Sequence, residues 1–401
     1  MKTVVILGDG MADYKIAELG GKSILDVAKK PYMDMIAKLG EVGLSRTVPP
    51  SMKPGSDNAN LSVMGYDSMK CYTGRSPLEA VSIGVKLDDD DVTFRCNLVN
   101  LSDDARYEDK TMIDYSSDEI TTEESRQLIE ALKPLINGDG RELFAGISYR
   151  HCLKIKGFKG DMDLTPPHDI SEKKITNYLP KTAQGEFFID LYKKSYEILS
   201  KHPVNLARVK RGLRPANSMW LWGMGTKPAL ENFYEKNHVK GAVISAVDLI
   251  KGIGILAGME VIEVEGATGK VHTNFDGKAQ AAIDAFKRGL DFVYIHMEAP
   301  DEAGHRGELD NKIKSVELID EKVVAPVWNY FKSLNEPYRI LIMPDHPTPI
   351  ALRTHVKDPV PYALLKSEKP SNCGLNYNED NGAKSRIFYE NGFELLSYVL
   401  K

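Results

Sequence analysis

Cysteine is scarce. Four occur in 401 residues, Cys71, Cys96, Cys152 and Cys373, and no two stand in a Cys-x-x-Cys spacing. That excludes a disulfide framework or a thiolate zinc site as the organising device, and it implies a reducing, cytoplasmic setting. A basic excess is also missing: 52 Lys and Arg face 57 Asp and Glu, a formal charge of −5. Dedicated nucleic-acid binders carry the opposite balance, so no nucleic-acid partner is expected. No apolar run reaches the roughly 18 residues that a membrane helix requires, so no membrane partner is expected either. The N-terminal stretch MKTVVILGDGMAD is interrupted by Gly8 and Asp9 and reads as a first strand, not a signal peptide. Neither GxxxxGK[ST] nor GxGxxG occurs, which excludes a nucleotide P-loop and a dinucleotide fingerprint.

What is present is an ordinary globular composition, 42% hydrophobic and 27% charged, with length enough for two or three domains. Short apolar runs closed by Gly or Asp read as buried strands of a parallel sheet. Residues 3–7, 240–244, 291–297 and 339–343 fit that description, as does 218–222. Helical patterns follow at 24–39, from about residue 228, and at 247–257 and 308–334. The alternation implies an α/β domain. Between residues 77 and 212 the texture changes. Strand-like pieces at 93–100 and 149–155 accompany helices at 122–135 and 185–199, and none of these strands ends in an Asp or His turn. The expected organisation is therefore a discontinuous α/β domain, 1–76 with 213–401, interrupted by a smaller α+β domain over 77–212.

Open α/β sheets bind ligands beyond the carboxyl ends of their strands, and five short segments place chemistry there. Gly8-Asp9-Gly10 alone is equally a plain turn. In Pro54-Gly55-Ser56-Asp57, Ser56 stands at a helix N-terminus, where an anion is favoured. Ser56 or Asp57 is equally an ordinary N-cap. Asp301 and His305 are four apart and share a helix face. Asp345-His346 follows the strand 339–343 directly, and whether the two side chains face one cation or two is open. His355 lies in the loop beyond. Together these supply three carboxylates, three imidazoles and a hydroxyl. Oxygen and nitrogen donors without thiolate suit Mn²⁺, Mg²⁺ or Zn²⁺, and seven of them suit two ions, an arrangement used in phosphoryl transfer. His202, His238, His272 and His296 have no partner spacing and read as structural or surface groups. Trp220 and Trp222 read as core.

The order of these motifs resembles the alkaline phosphatase superfamily, and more narrowly the archaeal-type branch of the cofactor-independent phosphoglycerate mutases. The segments ILGDGMAD, PGSDNANLSVMGYD, YTGRSPLEA, YRHCLKIKG, NSMWLWGMG, HMEAPDEAGHRGE, MPDHPTP and HVKDPVP carry the likeness. It implies an alkaline-phosphatase-like, mostly parallel sheet sandwiched by helices, with the smaller α+β domain inserted. It implies interconversion of 3-phosphoglycerate and 2-phosphoglycerate through a phosphoserine at Ser56, with two divalent metal ions and no bisphosphoglycerate. By the same resemblance one ion is held by Asp9, Ser56, Asp345 and His346, and the other by Asp301, His305 and His355. Asp169 is implied as the acid or base for the glycerate hydroxyl. Arg75, Arg150, His151, Lys251 and Asn60 are implied as groups facing a small phosphorylated acid. Many relatives have His where this chain has Asn60, and residues 113–117 replace an expected Arg-rich stretch. Bacterial members with WLWG and EAPDEAGHRGE are also proposed as homoserine kinases, so the resemblance implies, as the alternative, a metal-dependent phosphotransferase such as a homoserine kinase, or a phosphatase, of the same superfamily. A non-catalytic metal-binding regulator is the reading from outside enzymology. Oligomeric state is not legible.

Overall fold

The structure, a computed structural model, describes residues 1–401. Backbone contacts divide it into two units, Met1–Tyr72 with Ala229–Lys401, and Thr73–Pro228. In chain order the strands are β1 (Lys2–Gly8), β2 (Glu41–Ser45), β3 (Asp91–Leu101), β4 (Met112–Asp114), β5 (Arg141–Phe144), β6 (Arg150–Lys156) and β7 (Ser218–Thr226). They continue with β8 (Gly241–Ile244), β9 (Glu260–Ile262), β10 (Phe292–Met297), β11 (Tyr338–Met343), β12 (Val360–Lys366) and β13 (Phe388–Tyr389).

The first unit holds an eight-stranded sheet in the order β13-β2-β12-β11-β1-β10-β8-β9. Only β12 runs against its neighbours; every other pairing is parallel. Strands buried on both faces read as continuous apolar runs, and Val4–Leu7, Phe292–Ile295 and Ile340–Met343 are all buried. The register places the chemistry. In β1, Gly8 pairs with Met297 of β10 and Leu7 pairs with Met343 of β11. Three adjacent parallel strands therefore release their chains at one end of the sheet. Asp9 and Asp345 stand within two residues of their strands, and Asp301 lies in the helix Ala299–Arg306 that follows β10.

Three helices differ from expectation. The stretch 24–39 is broken into Ile24–Val27 and Pro31–Leu39, because Pro31 has no N–H to donate and disfavours helical geometry at the residue before it. The stretch 308–334 runs as Leu309–Ile319, a π-helical turn at Asp320–Val324, and Ala325–Ser333; the wider turn accommodates Pro326. The helix expected from residue 228 is a single short one, Phe233–Asn237.

The second unit is a five-stranded antiparallel sheet, β4-β3-β6-β5, with β7 also paired to β3. The helices Thr122–Ile136 and Ala183–Leu199 supply much of its core. This corrects the placement of 218–222. That strand was expected in the α/β domain, but it pairs with β3 and its Trp220 stacks on Tyr192 at 5.2 Å within this core. A short apolar strand does not encode which sheet it joins.

Candidate metal centre

Ser56 opens the helix Ser56–Val63. The N-cap is Gly55, with no side-chain cap, and Asp57 Oδ1 accepts from the Asn58 N–H at 2.8 Å. The reading of Ser56 as a helix cap therefore fails. Its Oγ lies instead 3.1 Å from His346 Nε2. The same nitrogen is 3.3 Å from Asp345 Oδ2 and 3.6 Å from Asp9 Oδ1. A few residues away, Asp301 Oδ2 is 3.3 Å from His305 Nε2 and Asp301 Oδ1 is 3.4 Å from His355 Nε2. Donors held about 2.1 Å from one ion at the tetrahedral angle stand about 3.4 Å apart. These spacings fit a cation better than they fit hydrogen bonds among the donors themselves.

Two sets of three donor atoms each lie mutually within 4.8 Å: those of Asp9, Asp345 and His346, and those of Asp301, His346 and His355. His305 Nε2 adjoins the second, 2.8 Å from His355 Nε2. His346 thus touches both groups. Backbone and hydroxyl acceptors orient the rings. His305 Nδ1 donates to the Arg353 carbonyl at 3.0 Å. Burial lowers this ring, but Asp301 outweighs it and raises it to about 9, so Nε2 carries a proton toward Asp301 that a cation would have to displace. Thr348 Oγ1 donates to Asp301 Oδ1 at 2.5 Å, so at 3.3 Å it receives the His346 Nδ1 proton. Gly10, at φ +62°, lets the first loop pass: a Cβ there would stand 2.7 Å from Asp301 Oδ1.

The electrostatics of this cluster call for positive charge. Burial, together with the Asp345 and Asp301 carboxylates, raises Asp9 well above the usual carboxyl range. Its Oδ1 is buried and has no hydrogen-bond partner, a costly state for a lone acceptor. Burial pushes His346 down to about 4 against the pull of Asp345, so at neutral pH it is an unprotonated donor. At Asp301 burial is outweighed by His305 and His355, which hold the carboxyl well below its ordinary value.

Residues outside the sequence-read set hold these loops. Lys312 and Asp13 are buried and paired at 2.7 Å. Lys312 Nζ also donates to the carbonyls of Ala12 and Thr348, and Asp13 accepts from the Ile350 N–H. The pair ties the loop after β1 to the loop after β11. Removing one partner of a buried pair costs about 3–5 kcal/mol. Lys312→Met is expected to lower urea-unfolding stability by that amount and to loosen the donor loops.

Asn60 is fully buried behind the site. One amide proton goes to the Ser56 carbonyl at 2.9 Å and the other to Asp345 Oδ2 at 2.8 Å, while its carbonyl accepts from Tyr294 Oη at 2.5 Å. Both protons are committed, so the substrate contact expected of Asn60 is corrected to support of Asp345. His296, set aside in the sequence, lies 2.9 Å by Nε2 from Asp9 Oδ2 and is wholly buried. The available signal was a polar ring in an otherwise apolar run one residue from its end.

Lys251, in the first unit, pairs with Glu263 at 2.7 Å. The other expected substrate groups lie in the second unit. Arg75 Nε binds Glu79 Oε1 at 2.8 Å, and Arg95 Nε binds Glu79 Oε2 at 2.8 Å. Arg95 is buried and its guanidinium lies 4.4 Å over Trp222. Burial opposes ionisation of Glu79, but Arg95, Arg75 and Arg150 hold its carboxyl below the ordinary value. Three guanidinium groups around one carboxylate leave a cationic cluster, and Arg95 was missed by sequence. Asp169 lies in the short helix Pro167–Ile170, exposed, 3.7 Å from His168 Nε2.

His151 follows Arg150 on β6 and so points to the opposite face. It is 3% exposed, accepts from the Gly146 N–H through Nδ1 at 3.1 Å, and is pushed down by burial to about 3. This corrects its expected place among substrate-facing groups. A histidine kept neutral by the fold protonates readily once unfolded. Its contribution is complete above the ordinary value of 6.5 and is lost as pH falls toward about 3, at no more than about 1.4 kcal/mol per pH unit. Urea midpoints are expected to fall over that window and to fall less in His151→Asn, which keeps an acceptor for Gly146.

Comparison with known proteins adds the family context. Residues 37–205 match the family model described as 2,3-bisphosphoglycerate-independent phosphoglycerate mutase. A protein of that name from Methanosarcina barkeri is 49% identical over 403 residues, covering 100% of both chains. One named as a probable member from Geobacter sulfurreducens is 47% identical over 401 residues, again with 100% of both covered. Among solved structures, the PH0037 protein from Pyrococcus horikoshii has a TM-score of 0.81 at 28% identity, covering 100% of this chain and 96% of that one. The cofactor-independent phosphoglycerate mutase from Thermoplasma acidophilum has the same fold, with a TM-score of 0.65 at 23% identity and coverage of 100% and 99%.

Proposed function

The chain belongs to the 2,3-bisphosphoglycerate-independent phosphoglycerate mutase family of isomerases, and from that premise we propose that it interconverts 3-phosphoglycerate and 2-phosphoglycerate through phospho-Ser56. The observation that carries this reading is Ser56 Oγ, free of any capping role and set 3.1 Å from His346 beside Asp9 and Asp345. Asp9, Ser56, Asp345 and His346 hold one divalent ion, and Asp301, His305 and His355 the other, with His346 close to both groups. Mn²⁺, Mg²⁺ or Zn²⁺ suits these donors. Bound there, the ions lower the hydroxyl pKa and offset phosphoryl charge.

Ser56 Oγ, its proton already released to solvent, attacks phosphorus in line as the substrate oxygen leaves toward a protonated Asp169, so the P–O bond to glycerate breaks and the P–O bond to serine forms; the return transfer regenerates the alkoxide and the protonated carboxyl. The exposed N–H groups at the start of the helix Ser56–Val63 favour the oxyanion. Asp169 gives a proton to the departing glycerate oxygen and takes one from the other hydroxyl for the return transfer. Arg75 and Arg150 offset substrate carboxylate and phosphate charge, with Arg suited to bidentate contact; Lys251 adds a cation in the first unit. No water enters the balance, and no bisphosphoglycerate is needed.

The test is conversion of 3-phosphoglycerate by purified Mn²⁺-loaded protein without bisphosphoglycerate. Conversion is expected. No conversion, with ATP-dependent phosphorylation of homoserine or release of inorganic phosphate in its place, would overturn the mutase reading.

A further inference from the structure

We propose that His296, oriented by Ser245, is a positioning residue that decides which oxygen of Asp9 faces the cation. The inference rests on the two-ion reading above.

One chain of hydrogen bonds joins Val247, Ser245, His296 and Asp9. The Val247 N–H donates to Ser245 Oγ at 3.0 Å, so an acceptor site of that hydroxyl is used and its own proton is available. His296 Nδ1 lies 3.2 Å away and takes that proton's hydrogen bond. An imidazole that accepts at Nδ1 carries its proton on Nε2. Nε2 therefore donates to Asp9 Oδ2 at 2.9 Å. With a bound cation keeping Asp9 ionised, the opposite tautomer would turn a lone pair toward a carboxylate oxygen in a wholly buried place, which is strongly disfavoured. Oδ2 is thereby engaged, and Oδ1 is left buried without a partner on the side of His346 Nε2, 3.6 Å away. The ring itself has little freedom. Ser245 is 3% exposed and His296 0%. The buried Lys278 Nζ donates to the His296 carbonyl at 2.8 Å and anchors the backbone at that point.

Three strands cooperate in this device. Ser245 follows β8 and His296 lies near the end of β10, which pair in parallel with Ile244 opposite Ile295. Asp9 follows β1, where Leu7 is opposite His296. The relay thus crosses three adjacent strands and delivers a fixed carboxylate to that end of the sheet. Partners that orient a metal-ligating group typically change metal affinity by about 10–100-fold when removed.

The experiment titrates chelator-stripped full-length protein with Mn²⁺ by calorimetry, alongside thermal melts in chelator. His296→Leu removes the donor, and His296→Gln returns an N–H donor to the Asp9 side. Ser245→Ala deletes only the hydroxyl that sets the tautomer. His296→Leu is expected to weaken one Mn²⁺ binding step by about 10–100-fold. His296→Gln should recover most of that loss, and Ser245→Ala should fall between. Wild-type affinity in a folded His296→Leu protein overturns the proposal, as does a His296→Gln protein no better than the leucine variant. Should His296→Leu not fold, unchanged affinity in Ser245→Ala overturns it. Wild-type protein that binds Mn²⁺ but does not interconvert the phosphoglycerates would sink the mutase reading and leave this relay standing. A wild type that binds no Mn²⁺ would overturn both.

Discussion

Ser56→Ala is expected to lower conversion of 3-phosphoglycerate on the order of 10⁴-fold or more, as loss of a covalent nucleophile does elsewhere. Gly55, not Ser56, is the N-cap, and no side-chain cap bond is lost with the hydroxyl. Alanine is also the best helix former, so the folded state should be affected by only about 0.5 kcal/mol. What disappears is the hydroxyl 3.1 Å from His346 Nε2, the nitrogen that also faces Asp345 Oδ2 and Asp9 Oδ1. Without it the phosphoryl group has no enzyme oxygen on which to wait while glycerate turns. Wild-type protein quenched in acid during turnover should yield a peptide phosphorylated at Ser56 by mass spectrometry, and the variant should not. Turnover within about tenfold of wild type in a folded Ser56→Ala protein would remove Ser56 from the reaction.

The parts of this site that were legible in the sequence are those where local grammar carries the chemistry. Asp9, Asp301 and Asp345 each follow an apolar run, and parallel strands must release their chains at one end of the sheet. The i, i+4 spacing of Asp301 and His305 needs only a helix. Contacts made across the sheet were not legible. His296 sits within β10, and nothing in FVYIHM says that its ring reaches Asp9 on the neighbouring strand. Asn60 follows Ser56 by one helical turn, so its position in the helix was plain, but its commitment to Asp345 depends on the loop after β11. Arg95 was hidden for the same reason, since its role is set by Glu79 and Trp222 from two other segments. The strand Ser218–Thr226 shows the general limit: its apolar pattern specifies burial, while the choice of sheet is made by long-range pairing with β3.

His346→Ala is expected to carry the second large effect, because this ring is the point where the two donor groups meet. Its Nε2 lies 3.1 Å from Ser56 Oγ, 3.3 Å from Asp345 Oδ2 and 3.6 Å from Asp9 Oδ1. Its ring centroid is 4.0 Å from that of His355. Thr348 takes the Nδ1 proton at 3.3 Å, so Nε2 presents a lone pair inward. Burial keeps the ring unprotonated, down to about 4, so no proton need be displaced at neutral pH when a cation arrives. Orienting partners alone are worth about 10–100-fold in affinity. Loss of the donor itself should therefore weaken Mn²⁺ binding on the order of 100-fold or more, and turnover with it. Calorimetric titration of chelator-stripped protein reads the first effect. Restoration of wild-type activity by Mn²⁺ after chelation, and its failure in the variant at the same Mn²⁺ concentration, reads the second. The comparison with Ser56→Ala separates the two roles. Ser56→Ala should retain most of its Mn²⁺ affinity, because Asp9, Asp345 and His346 remain, and yet be inactive. His346→Ala should lose affinity first, with some turnover returning at high Mn²⁺ because Ser56 is still in place. Two unimpaired Mn²⁺ sites in a folded His346→Ala protein would show that this ring faces neither cation.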